Sequence, residues 1–236
     1  MKARKIFFIK FALAITVLTG CGSSEKMIVK ESVADGNINT VSFLAGVNTG
    51  GVVENNTMEG VKGISGVDAI TGATRTRFSA GAHKEIRFKG FSFETGLDYL
   101  AFDQTVTYDL PSYALNGRRD IRFQQLRVPL TCNLHLFKQS DGKARLVLKT
   151  GFSLGYTLSK SITDAGTLPE YTFKNWDYGA TLGMACYPFA PLKNYRFGFY
   201  MDLFRGSKIY DDRFHTAEGM GGQSYMKFGI IVQPGF

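Results

Sequence analysis

In "FSFETGLDYLAF", Phe91 to Phe102, bulky apolar side chains fall on one parity (Phe91, Phe93, Leu97, Tyr99) and small or charged ones on the other (Ser92, Glu94, Gly96, Asp98). Successive side chains of a strand point to opposite faces, so this segment has one apolar wall and one polar wall. The same period of two recurs from Val41 to Phe236, and no stretch carries a convincing helical period. The chain is therefore expected to be all-β. Eight strands can be counted: Val41–Val52, Arg77–Phe88, Phe91–Gln104, Ile121–Phe137, Ala144–Ser159, Trp176–Tyr187, Tyr195–Gly206 and Ser224–Phe236.

The connections sort by length. Those after the second, fourth and sixth strands are short, and Lys89-Gly90 is a hairpin signal. Those after the first, third, fifth and seventh run to roughly fifteen to twenty-five residues, rich in Gly, Asp, Asn, Ser and Thr. Short turns at one end and long loops at the other are what a membrane-spanning barrel shows.

Bulk decides which face points inward. The apolar parity collects Phe43, Phe78, Phe91, Phe93, Leu97, Leu130, Leu134, Phe152, Trp176, Tyr178, Phe197 and Phe199, among others. An eight-stranded barrel is barely wide enough for its own interior side chains, and this set would overfill it. The other parity holds glycines together with Arg77, Glu85, Arg87, Glu94, Asp98, Arg127, Lys149, Asp177, Arg196, Asp202 and Lys227. Six basic and five acidic groups can pair, as buried charges must. The expected fold is an eight-stranded antiparallel up-and-down transmembrane β-barrel over 41–236, with its apolar face in lipid and a plugged charged lumen. A soluble lipocalin-like barrel with the apolar face inward is the structural alternative. In lipid no sheet edge can stay unpaired, so the last strand is expected to pair with the first. A final Phe236 after outward apolar residues resembles the insertion signal of bacterial outer-membrane barrels.

Residues 1–20 carry Lys2, Arg4, Lys5 and Lys10, no acid, and an apolar run from Phe11 to Leu18. That is the pattern of a secretory signal, and it is too short to span a membrane as a helix. Removing those four cations would take the formal charge from +8 to +4, which weakens any case for nucleic-acid binding. "LTGC", ending at Cys21, resembles the lipobox of bacterial lipoproteins, which implies acylation of Cys21. Residues 21–40 read as a polar periplasmic tether. Cys132 and Cys186 fall on the apolar parity of the fourth and sixth strands. Two strand spacings, about 9.6 Å, exceed the roughly 7 Å a disulfide tolerates, so two free thiols in lipid are expected.

"FLAGVNTGG", "FSFETGLDYLAF", "LRVPLTCNLHL", "LKTGFSLGY" and the aromatic end together resemble the PorT-like outer-membrane β-barrel proteins of Bacteroidetes, over residues 41–236. The resemblance implies outer-membrane localisation and a fold rather than an activity. The lipobox departs from the ordinary signal that many such barrels carry.

Three histidines are candidates for chemistry. His83 should face inward near Glu85 and Arg87, as a lumen hydrogen-bond partner. His135 lies near the periplasmic end beside Asn133 and Phe137, with no nucleophile in sequence reach. His215 sits in "YDDRFHTAEG" with Asp211 and Asp212. "GVNTGG" and "GMGG" lack the Lys-Ser/Thr and helix of a phosphate loop. "TGATRTR", Thr71 to Arg77, reads as a solvated basic loop, with lipopolysaccharide phosphates as the alternative partner. No metal motif and no cofactor is expected. The expected role is non-enzymatic: structure or interaction through the outer loops or envelope protein partners, among outer-membrane lipid and lipopolysaccharide. A narrow pore and a lipid-modifying or proteolytic enzyme are the alternatives.

Overall fold

A computed structural model describes residues 39–52, 69–88, 91–138, 144–189, 192, 194–212, 214 and 222–234. The expected signal, most of the tether, Cys21, the Lys89-Gly90 turn, His215 and Phe236 lie outside these residues.

The strands are β1 (Asn39–Gly51), β2 (Ala69–Arg75), β3 (Arg77–Arg87), β4 (Phe91–Leu110), β5 (Leu115–Lys138), β6 (Ala144–Thr167), β7 (Tyr171–Phe173), β8 (Trp176–Cys186), β9 (Tyr195–Gly206), β10 (Tyr210–Asp212) and β11 (Ser224–Pro234). Asn39 and Thr40, expected in the tether, open β1. Eight strands form a ring of antiparallel pairings in the order β4-β3-β1-β11-β9-β8-β6-β5 and back to β4. The first and last ring strands pair from Phe43 opposite Val232 to Gly51 opposite Ser224, as the sequence led one to expect.

Two features were not expected. "TGATRTR" is not a loop: most of it is β2, which continues the line of β3 and pairs with the upper part of β4. Arg75 lies opposite Asp103, whereas Ser79 lies opposite Leu100. One more residue on the β2–β3 side makes a bulge at Thr76. Second, β4, β5 and β6 are 20, 24 and 24 residues long, roughly twice the nine to eleven a tilted strand needs to cross a bilayer. Residues expected in long polar loops are their upper halves. Only Pro111–Tyr113, a single 3₁₀ turn, and Ala114 separate β4 from β5.

The upper halves were hidden by an inversion of pattern. Along β4 the exposed apolar residues Phe91, Phe93 and Leu97 point out, with Ser92, Glu94 and Asp98 buried inside. Above Tyr99 the buried inner parity turns apolar, as Leu100, Phe102, Val106, Tyr108 and Leu110, and Thr107 and Asp109 face out. β5 inverts likewise: Leu130 and Val128 point out below, while Phe123, Ile121 and Leu115 point in above. The backbone keeps one parity; the surroundings change, from an apolar exterior and polar interior to a polar exterior and apolar interior.

The inversion falls on one row of the sheet, Ser79–Leu100–Gln125–Thr157. Leu158, an extra residue in β6, bulges at the same level. Just below lie Tyr156 and Trp176, ring centroids 4.7 Å apart. At the opposite rim Phe88, Phe91 and Phe93 pack against one another. The exterior between these aromatic groups is an apolar belt. Cys132 and Cys186 are free and exposed on it, on strands that flank β6.

Candidate functional site

The interior of the ring is built in layers, and most of the charged residues picked from the sequence fall into three of them. At the lower rim Glu85 (β3) accepts a 2.5 Å hydrogen bond from the Ser92 hydroxyl (β4) and lies 2.9 Å from His135 Nε2 (β5). Arg87 reaches its other oxygen at 3.4 Å. His135 faces inward, and Ser92, opposite Asn133 in the register, supplies a hydroxyl 2.8 Å from its Nε2. Both neighbours meet the same ring nitrogen. A Ser–His–acid relay needs the acid on one nitrogen and the serine on the other.

The middle layer is a chain of alternating charge. Lys149 Nζ (β6) lies 2.7 and 3.0 Å from the two oxygens of Glu94 (β4). Glu94 Oε1 is 2.8 Å from His83 Nδ1 (β3), and His83 Nε2 is 2.9 Å from Asp98 Oδ1 (β4). Asp98 Oδ2 accepts from Lys227 Nζ (β11) at 2.7 Å, and Lys227 reaches Asp202 (β9) at 3.2 Å. All six groups are buried. Strands that are not neighbours are thereby tied across the interior. His83 is bracketed by two carboxylates from one face of one strand, spaced four residues apart. Gly96 lies directly opposite it, and a Cβ there would fall on the His83 ring and the Ala82 carbonyl.

Above, Arg127 (β5) pairs with Asp177 (β8) at 2.9 Å and lies 3.7 Å over the Phe204 ring. Gln125 and Gln223 exchange hydrogen bonds at 2.9 and 3.2 Å. Phe102 stacks on Phe123 at 4.6 Å, and Phe204 on Tyr225 at 5.0 Å. A cavity of about 10 Å³ remains among His83, Glu94, Asp98, Lys149, Asp202, Lys227 and their neighbours, about the space of one water. At the lower end of β9, Arg196 lies 4.0 Å over the Tyr187 ring.

Outside the row of inversion the apolar core continues through Ile70, Val106, Ile121, Ile209 and Phe214. Its polar hub is Arg119 (β5), which is 1% exposed. Arg119 donates two 2.7 Å bonds to Asp164 (β6), one of 2.7 Å to the Tyr210 hydroxyl and one of 2.8 Å to the Pro169 carbonyl. Its guanidinium lies 4.3 Å over Tyr171. Tyr108 donates to Asp212 at 2.6 Å. Burial opposes the charge on Arg119, but Asp164 and Tyr210 outweigh it and hold its pKa above the ordinary guanidinium value. Burial, then Tyr210 and Asp212, push the Tyr108 hydroxyl well above its usual 10.0; burial and then Asp212 do the same to Tyr210.

One expected lumen residue is elsewhere. Arg77, beside the Thr76 bulge, turns to the exterior and pairs with Asp103. The strict period of two that placed it inside fails at an inserted residue. Ser92 and Gln125 were missed because neutral polar groups carry no charge signal, and Tyr108, Arg119 and Gln223 because they lie beyond the strand ends expected from the sequence. Among the described residues no group of His, Cys, Asp and Glu could hold a metal ion.

No curated protein matches the chain. Among solved structures it is similar to the outer membrane protein OprG from Pseudomonas aeruginosa, at 12% identity and a TM-score of 0.40, over 84% of this chain and 94% of that one. A family model described as "Outer membrane protein beta-barrel domain" matches residues 36–206. Its span covers most of the ring, from β1 through β9, and with it the apolar belt and the charged interior. The chain belongs to the outer membrane protein beta-barrel domain family, and its place is the outer membrane.

Proposed function

We propose that this outer-membrane barrel is non-conducting and non-enzymatic, and that it works as a structural or interaction protein through its outer extension. One observation carries the reading: the interior is crossed by the Lys149–Glu94–His83–Asp98–Lys227–Asp202 chain, and the cavity left among these residues is only about 10 Å³. The aromatic layer of Phe102, Phe123, Phe204 and Tyr225 stands above it. A hydrated ion needs a continuous water path, and buried, mutually satisfied charges resist opening one. The Ser92–His135–Glu85 group speaks against hydrolysis, since both partners share Nε2. The outer extension has its own apolar core and a polar exterior, the surface through which envelope proteins would be met. Acylation of Cys21 and kinship with PorT-like barrels belong to the same proposal and rest on the lipobox and the strand motifs.

The test is single-channel recording of the purified protein in planar bilayers. Wild type should give no stepwise currents, whereas H83A, which breaks the crossing chain at its centre, should give brief openings. Steady steps from wild type would favour the narrow-pore reading instead.

A further inference from the structure

We propose that Arg75, Arg77 and Arg122 form a binding site for the phosphate groups of outer-leaflet lipid headgroups. The three guanidinium groups come from β2, β3 and β5 and converge on one oxygen of Asp103 (β4): Arg75 Nη1 at 3.5 Å, Arg122 Nε at 3.6 Å, and Arg77 Nη2 in direct contact. Asp103 is only 1% exposed beneath them, while the arginine side chains are 52%, 43% and 58% exposed. One carboxylate cannot neutralise three guanidinium groups. The neighbouring Arg118 is already matched by Asp120 at 2.9 Å. Among the described residues a local excess of two positive charges therefore faces outward, with Asp103 holding the fork-shaped donors in place. Planar guanidinium groups pair with phosphate oxygens two at a time, which an ammonium cannot do.

The height of the cluster picks out a lipid headgroup. Asp103 lies three residues above Leu100, on the row where the apolar exterior ends. Three residues rise about 10 Å along a strand, and a tilt of ~35–45° reduces this to about 8 Å along the membrane normal. The polar interfacial layer of a leaflet is roughly 5–8 Å thick. Phe78, exposed on the belt one residue past Arg77, would lie against the acyl chains of the same lipid. The Thr76 bulge has a consequence here: it shifts the phase of β2 and sets Arg75 on the outer face, where the side chain of the adjoining Arg77 reaches the same carboxylate.

The site is tested by binding of bisphosphorylated lipid A to the folded protein in nanodiscs, against enzymatically dephosphorylated lipid A. Wild type should prefer the phosphorylated form, and R75Q/R77Q/R122Q should bind it at least about tenfold more weakly. Gel migration of unboiled samples checks that the triple variant keeps its ring. If it does not fold, R122Q alone carries the test, since Arg122 makes the longest contact to Asp103, and a threefold loss is expected. Inorganic phosphate at millimolar concentration should not displace the lipid; displacement would mean a free-phosphate site and would overturn the headgroup assignment. Equal retention of phosphorylated and dephosphorylated lipid A, or an unchanged affinity in the variants, would also overturn it.

Discussion

At the scale of the residue, His83 is the most constrained group in the interior. Its two nitrogens face Glu94 and Asp98, each of which also holds a lysine. Replacing it with Ala leaves the two carboxylates without their shared partner and should lower the unfolding free energy in lipid vesicles by about 3 kcal/mol. G96A should be costly too, because the new methyl meets the His83 ring. The two effects should not add: in the H83A background the ring is gone, and G96A should cost measurably less. Strict additivity in urea-unfolding experiments would show that the contact between them is not what limits the site.

Among the elements, the outer extension behaves as a unit of its own, pinned by Arg119 to Asp164 of β6, Tyr171 of β7 and Tyr210 of β10. R119A should open the segments 168–175 and 207–212, on either side of the ring strands β8 and β9, to protease while the ring still migrates as a folded barrel on unboiled gels; loss of both together would mean that the extension and ring unfold as one. The extension should also loosen in alkali. Tyr108 and Tyr210 have folded pKa values raised above 10.0. Folding thus keeps their protons on, and the stability they contribute is complete below pH 10 and is lost as pH rises beyond it. Protease sensitivity of the segments 168–175 and 207–212 should increase above about pH 10, and Y108F/Y210F should remove that dependence. The ring strands were legible in the sequence because lipid demands a strong apolar signal on one parity, as in Phe91, Phe93 and Leu97. The extension was not, because its apolar residues Leu100, Phe102, Val106, Tyr108 and Leu110 lie on the opposite parity from the belt below. A reader who follows one phase along β4 sees the signal fade at Gln104, where it has only changed sides. Arg77 was misplaced for a related reason: it adjoins the residue inserted at Thr76, where the period of two that holds along β3 breaks.

For the molecule as a whole, the belt and the extension predict opposite chemistry for thiols at two heights. Cys132 and Cys186 lie on the belt, and Thr107 faces out on the extension. In intact cells a membrane-impermeant maleimide should label T107C and leave both native cysteines untouched. A lipid-soluble maleimide should reach Cys132 and Cys186. Labelling of the native pair by the impermeant reagent would put the belt in water and revive the soluble-barrel alternative.

The long strands are all on one side of the ring. β4, β5 and β6 rise together with β2 beyond the bilayer, whereas β8 has 11 residues, β9 has 12 and β11 has 11. The molecule therefore has a back and a front. Among the described residues, a neighbour drifting in the membrane toward β8 and β9 meets short strands continued only by the three-residue β7–β10 pair, and one approaching β4 and β5 meets a tall screen with the arginine cluster at its foot. Rotation about the membrane normal, immaterial for a cylinder, decides what such a neighbour can touch.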